Sequence, residues 1–368
     1  MNGLRRVKLL STVLVLSLLA FVAGCSLGKE AASPGKGGES KTLAIYNLGS
    51  SFGNWKLIAE SYASKTGVKP TLDLKHGSGV ALAALQAEQK NPVANGAYYP
   101  PAFAIEAVNK GLHQAYKPAN FDKIPKELKD PDGYWWTTSS VLLGINVNTD
   151  VLKKKGLPVP QSYYDLLKPE YRNMVVVGHP GWGGTAYSIA YALNFLLGGN
   201  ESDFRPGFKY LKALKDNGAK FVEATLTQGT VSGEYPITLD AEANGLTAKY
   251  SLKAPVEVLV PKEGVSMMAL TMGMTKGAPE AEATKRFFDW LLSAEAQQII
   301  ARAYHRPAIE GMIPPDIADR FPDTRGKVVL YDQLHAAKVN RSVREAFAAI
   351  VEQGADLEST LRQKGLLK

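Results

Sequence analysis

From residue 42 onward the chain alternates short apolar runs with stretches in which apolar residues recur every three or four positions. Leu43-Ala44-Ile45-Tyr46 is strand-like, and Trp55, Ile58, Ala59, Tyr62 and Ala63 then fall at i, i+3, i+4, i+7 and i+8, the stripe of a helix with one buried face. Ser51 is positioned to cap that helix and Gly67 to end it. The grammar repeats with the strand-like Thr71-Leu72-Asp73-Leu74, the loop 76–79 (His-Gly-Ser-Gly) and a helix through Leu82, Leu85 and Gln89. A third unit has the uninterrupted run Met174-Val175-Val176-Val177, typical of a strand covered on both faces. Its loop is 178–184, its predicted cap Thr185, and its helix stripe Ala186, Ile189, Ala190, Leu193 and Leu197, closed by Gly198-Gly199.

Serial strand–loop–helix units predict an α/β fold whose mostly parallel sheets are flanked by helices, with ligands collected at the carboxyl ends of the strands. All three loops are rich in Gly, Ser and Thr and precede helices, where free backbone N–H groups and the helix dipole favour an anion. Two further apolar runs, 140–147 and 267–274, are separated by a domain-sized stretch. If both cross between lobes, residues 42–142 form the first part of lobe 1, 143–266 form lobe 2, and 267–368 return to lobe 1 with C-terminal helices.

The N-terminus follows a different rule. Arg5, Arg6 and Lys8 precede the uncharged run 9–23, which is too short for a membrane-spanning helix and leads to Ala23-Gly24-Cys25. Residues 1–24 therefore read as an export signal. Residues 25–41 are rich in Gly, Ser and charge and read as a flexible tether. The single Cys in 368 residues excludes an intrachain disulfide or an all-cysteine metal site. Losing residues 1–24 removes three basic residues and lowers the formal net charge from +8 to +5. Without a basic run interleaved with aromatics, no nucleic-acid partner is expected.

Several stretches together resemble a known family. They include Leu43-Ala44-Ile45-Tyr46-Asn47, His76-Gly77-Ser78-Gly79, Asp130-Pro131-Asp132-Gly133-Tyr134-Trp135, Gly144-Ile145-Asn146-Val147-Asn148-Thr149, Gly184-Thr185-Ala186-Tyr187 and the packing helix around Asp289-Trp290-Leu291-Leu292-Ser293. In this order they resemble the type II periplasmic binding proteins, the solute-binding subunits of ABC importers, in the branch of ferric-ion, phosphonate, sugar-phosphate, thiamine and polyamine binders. Val22-Ala23-Gly24-Cys25 likewise resembles the bacterial lipobox, which implies that Cys25 carries a lipid anchoring a periplasmic or extracellular protein to the membrane.

The resemblance implies two lobes closing on a small-molecule solute, recognition by an ABC permease and its ATPase, and no catalysis or cofactor; a monomer is expected. It places Ser50, Ser51, Ser78, Gly79, Gly184, Thr185 and Tyr187 where the family contacts anions, and Asp240 at a strand end facing the cleft. Asp240 serves there as a partner for a ligand amine or hydroxyl, or as a local cap. The loop 91–101 departs from the family pattern by carrying Tyr98 and Tyr99, which either meet a ligand or stiffen a packed loop. Trp182 forms either a cleft wall or a buried wedge.

The expected solute is a small anion or zwitterion of the phosphonate, phosphate-ester or carboxylate type. Ferric iron and polyamines are the alternatives within the same class. A ferric site would draw on His76, His179 and Tyr187, but the adjacent Tyr-Tyr pair of iron-binding relatives has no good counterpart. A secreted enzyme is the remaining alternative. The formal G-x-G-x-x-A at 181–186 is followed by Glu201 without an intervening strand, which argues against a dinucleotide site.

Overall fold

The computed structural model describes residues 41–49, 53–75 and 77–368. The export signal, Cys25 and the tether up to residue 40 lie outside the described residues, as do Ser50, Ser51 and His76. The folded unit opens with β1 (Thr42–Leu43), β2 (Ile45–Tyr46), α1 (Trp55–Thr66), β3 (Lys69–Pro70), α2 (Ser78–Ala87), β4 (Gly96–Tyr99) and α3 (Pro101–Asn109). Helix α1 buries Trp55, Ile58, Ala59 and Tyr62 of the stripe predicted from the sequence, while Ala63 is only partly buried. It ends at Gly67, whose positive φ of 75° directs its N–H to the Ala63 carbonyl.

Two expectations shift here. The predicted strand 71–74 contributes only an isolated bridge, Asp73 to Tyr46, while the ladder forms earlier, at β3. The aromatic stretch taken as a loop contains a fully buried strand, β4.

The chain continues through β5 (His113–Gln114) to β6 (Trp136–Asn148), then α4 (Thr149–Lys154), β7 (Val175–Gly178) and α5 (Gly184–Leu196). After α6 (Arg205–Asp216) come β8 (Lys220–Val222), α7 (Thr227–Ser232), β9 (Ile237–Ala241), α8 (Glu242–Leu246), β10 (Val256–Leu259) and β11 (Val265–Thr275). The C-terminal part holds α9 (Ala281–Leu291), α10 (Ala294–Ala301), β12 (Arg306–Pro307), β13 (Val328–Val329) and α11 (Gln333–Phe347).

The main sheet runs β2-β4-β11-β6-β9-β7-β8. Its wings are parallel: β2 with β4 at one end, β9, β7 and β8 at the other. Its centre is antiparallel, because β6 and β11, the two apolar runs predicted to cross, pair with each other. Every residue of the 13-residue β6 is buried. Its N-terminal part, from Trp136 to Leu143, pairs with β11, and its C-terminal part with β9 and β10. One continuous strand thus serves both halves of the sheet.

Helix α11 packs against both α3 and α5. Its buried face carries Ala336, Val339, Asn340, Val343, Ala346 and Phe347. Among the described residues, no helix is long and apolar enough to cross a membrane.

Candidate functional site

Three helices begin at the same place. Helix α2 starts at Ser78 after Gly77, α3 at Pro101 after Pro100, and α5 at Gly184 after Gly183. None of the three N-termini is capped by a side-chain hydrogen bond. A Cβ added to Gly184 would lie 2.8 Å from Pro100 Cγ and Cδ and 2.8 Å from Ser78 Oγ; one added to Gly77 would lie 2.6 Å from the Trp182 carbonyl oxygen. The backbones of the β7–α5 loop and of the loops before α2 and α3 therefore approach in a way only glycine permits. Uncapped first turns direct several N–H groups and the positive ends of their dipoles outward, the ordinary backbone recipe for holding an anion.

Asn47, absent from the sequence-predicted set, fixes this arrangement on the β2 side. It adopts a positive φ of 66°, which Asn tolerates, and its Nδ2 donates to the Tyr98 carbonyl at 2.8 Å and to Ser78 Oγ at 3.3 Å. A single amide thus joins the end of β2 to β4 and to the start of α2. The available signal was an Asn directly after a strand-like run.

The predicted site residues divide according to backbone geometry. Ser78 is buried at the first position of α2 and Gly79 follows it. Gly184 is the first residue of α5, which makes Thr185 the second rather than the predicted cap. Thr185 is half-buried. Tyr98 and Tyr99 are neighbours on a strand and point to opposite faces. The Tyr98 ring meets Trp55 edge-on at 4.8 Å, and its buried hydroxyl, like Trp55 Nε1, makes no hydrogen bond. The Tyr99 hydroxyl lies in the core, 2.6 Å from His113 Nε2, and is engaged there. Burial, with the Glu106 charge as a smaller contribution, pushes the Tyr99 phenol well above its ordinary pKa, and burial lowers His113 to about 4.

Tyr187 is also buried, and its hydroxyl donates to the Ala336 carbonyl of α11. The next turn repeats the contact, with the Tyr191 hydroxyl 2.7 Å from His335 Nδ1. Both tyrosines of α5 are thereby used to dock the C-terminal helix.

Asp240, at the carboxyl end of β9, is buried. Its Oδ1 accepts from the Ala241 N–H and its Oδ2 from Asn244 Nδ2, each at 2.8 Å. Burial raises its pKa to about 6, against the lowering effect of these two bonds. Two residues on, Glu242 receives the Arg306 guanidinium through Nε and Nη2 at 2.7 and 3.0 Å, and its Oε1 also accepts from the Leu142 N–H at 3.2 Å. His305, next to Arg306, is buried 3.3 Å from Ser139 Oγ of β6, and burial lowers it to about 3. These acid, guanidinium and imidazole groups line up along one edge of β6, and their sequence separation hid the pattern.

Trp182 is partly buried in the β7–α5 turn, its N–H bonded to the His179 carbonyl. His179 itself stands 3.0 Å from Glu352 and edge-on to Phe347. Among the described residues, no group of three or more His, Cys, Asp or Glu side chains is placed to hold a metal ion. Of the candidates for iron, His179 and Tyr187 are already bonded to Glu352 and Ala336.

A sheet with parallel wings joined through two long central strands, with helix N-termini meeting at the strand ends, is the fold of the two-lobe periplasmic binding proteins. The structure superposes with a TM-score of 0.74 on the periplasmic binding protein AfuA from Actinobacillus pleuropneumoniae, described with exogenous fructose-6-phosphate bound, at 24% identity over 85% of this chain and 99% of that one. The chain belongs to the family of bacterial extracellular solute-binding proteins, whose family model matches residues 94–331. Its relatives include an uncharacterized protein of Haemophilus influenzae, 30% identical over 66% of this chain and 70% of the relative. Another is a putative 2-aminoethylphosphonate-binding periplasmic protein of Salmonella typhimurium, 24% identical over 70% of this chain and 74% of the relative.

Proposed function

We propose that the protein captures a small anionic or zwitterionic solute outside the cytoplasmic membrane and delivers it, without chemical turnover, to an ABC permease and its ATPase. The observation that carries this reading is the meeting of three uncapped helix N-termini at Ser78, Pro100 and Gly184. Helices α2 and α5 contribute partial positive charge and first-turn N–H groups to one small volume, whereas α3, which opens on two prolines and bonds its Phe103 N–H to the Pro100 carbonyl, contributes chiefly its dipole; a negatively charged group satisfies them together. Residues 42–142 and 267–368 form one lobe and 143–266 the other in this reading, with Ser78, Gly79, Tyr98, Trp182, Gly184 and Thr185 at the mouth between them. The relative named for 2-aminoethylphosphonate and the fold neighbour described with fructose-6-phosphate support an anion bearing phosphorus.

Export is completed by lipid attachment at Cys25, which holds the protein at the membrane surface while the tether lets it reach the permease. Labelling with a radioactive fatty acid and partition into detergent are expected for the natural chain and lost in Cys25→Ser.

Thermal-shift and calorimetric screening with phosphonates, sugar phosphates, carboxylates, polyamines and ferric salts tests the reading. Stabilisation by an organic anion is expected, and Ser78→Ala and Thr185→Ala should weaken its binding without unfolding the protein. Stabilisation by polyamines or ferric salts alone, or turnover of the bound solute, overturns it.

A further inference from the structure

Beyond residue 331, outside the stretch matched by the family, α11 carries two polar side chains whose placement packing does not explain. Asn340 is only 2% exposed, yet neither its Nδ2 nor its Oδ1 has a hydrogen-bond partner. Arg344, one turn further on, has a buried Nε that is also unpartnered, and no acidic side chain pairs with its guanidinium among the described residues. Both lie on the face that turns toward the meeting helices. One turn before Asn340, the Ala336 carbonyl accepts the Tyr187 hydroxyl from the first turn of α5. At Arg344, Nη1 lies 3.8 Å from where a Cβ on Gly79 would stand, beside the first turn of α2. Ala336, Asn340 and Arg344 thus form one ridge, spaced i, i+4 and i+8, that runs from the start of α5 to the start of α2.

Buried amides and guanidinium nitrogens are rarely left unpaired in native proteins. On this ridge they flank helix N-termini that are themselves uncapped. We propose that Arg344 and Asn340 complete the anion site, with Arg344 supplying a full positive charge and Asn340 a neutral hydrogen bond, and that they select a doubly charged tetrahedral oxyanion over a carboxylate. Helix N-termini supply only partial charge and accept either kind of anion. A guanidinium without a carboxylate partner adds a fixed charge and a planar donor fork, which favours the ligand with more negative charge and more acceptor oxygens. This inference rests on the anion-binding reading given above and assigns the specificity of that site to the C-terminal helix.

The test uses the full mature protein and a matched ligand pair, 2-aminoethylphosphonate and β-alanine, which share an amine and a two-carbon spacer and differ in the acid. Inorganic phosphate and fructose 6-phosphate extend the set. Calorimetry should show the natural chain binding at least one phosphorus-bearing probe more tightly than β-alanine. Arg344→Gln should weaken that binding by about tenfold to a hundredfold, the range of a charge-assisted hydrogen bond, with little effect on the carboxylate. Arg344→Lys should recover part of the preference, and Asn340→Ala should lower affinity with a smaller effect on the preference. Melting temperatures of the unliganded variants separate loss of binding from loss of fold. An unchanged preference in a folded Arg344→Gln protein overturns the inference while leaving the binding function intact. So does a natural chain that binds carboxylates but none of the phosphorus-bearing probes. If no solute of any class binds, the anion-binding reading falls with it.

Discussion

The Arg306 guanidinium grips the Glu242 carboxylate with two hydrogen bonds, 2.7 and 3.0 Å long, along the edge of β6 where β12 and β9 follow one another. The carboxylate side chain is only 1% exposed and also holds the Leu142 N–H, so this pair ties β12 and α8 to the central strand. Removing one member of a buried pair leaves the other charged and unpaired. Glu242→Gln is expected to lower unfolding free energy by roughly 3 kcal/mol, the lower end of the range for such deletions because Arg306 retains some access to water. Urea unfolding measures this, and a loss below about 1 kcal/mol would show the pair to be dispensable.

The two adjacent tyrosines of β4 should respond in opposite ways. Tyr99→Phe leaves His113 Nε2 without its partner in the core and should cost about 1–3 kcal/mol of stability with no effect on solute affinity. Tyr98→Phe removes a hydroxyl that has no partner, so stability should hold within about 0.5 kcal/mol while solute affinity falls. Paired unfolding and calorimetry on both variants decide the matter; equal effects of the two on affinity would contradict the assigned faces.

Acid should destabilise the fold through its buried histidines. His113 and His305 are held at about 4 and about 3, below the ordinary value of 6.5. As pH falls below 6.5 the unfolded chain binds protons at these sites that the folded chain refuses, and stability is lost, by about 3 kcal/mol per site at pH 4. Asp240 acts in the other direction. Its pKa is raised to about 6 from 3.8, so between those values the folded state takes up a proton first and gains stability. The net expectation is a decline of about 3 kcal/mol from pH 7 to 4, shallower in His113→Gln and steeper in Asp240→Asn. Chemical denaturation across that range provides the slopes.

Gly184→Ala places a methyl group 2.8 Å from Pro100 and Ser78 Oγ, where one of the three helix starts must move. Overpacking of this size typically costs 1–3 kcal/mol, and because the displaced groups form the proposed site, solute affinity should drop by about tenfold or more. Retained affinity in this variant would place the solute elsewhere.

The alternating units, the Gly67 terminus and the two long central strands were legible because each rests on local period or on a single residue type. Thr185 reads as the cap in the sequence because a Gly-Gly-Thr run offers alternative helix starts, but Gly183 takes the cap position and Thr185 lies two positions further in. Tyr99 was grouped with Tyr98 although strand geometry sends neighbours to opposite faces; the error lay in reading β4 as a loop. Glu242 with Arg306, and Asn340 with Arg344 near Gly79, were not legible. The first pair is 64 residues apart in sequence, and on an amphipathic helix Asn340 and Arg344 look like part of a solvated face until α3 and α5 are seen to cover them.

The burial of all thirteen residues of β6, shared between both halves of the sheet, has a mechanical consequence. A strand clamped along its whole length cannot act as a loose joint, so rotation of one half against the other must be absorbed as distributed twist along β6 and β11. Their amide protons should accordingly remain among the slowest to exchange with deuterium whether or not solute is bound, while protection gained on binding concentrates at the first turns of α2, α3 and α5.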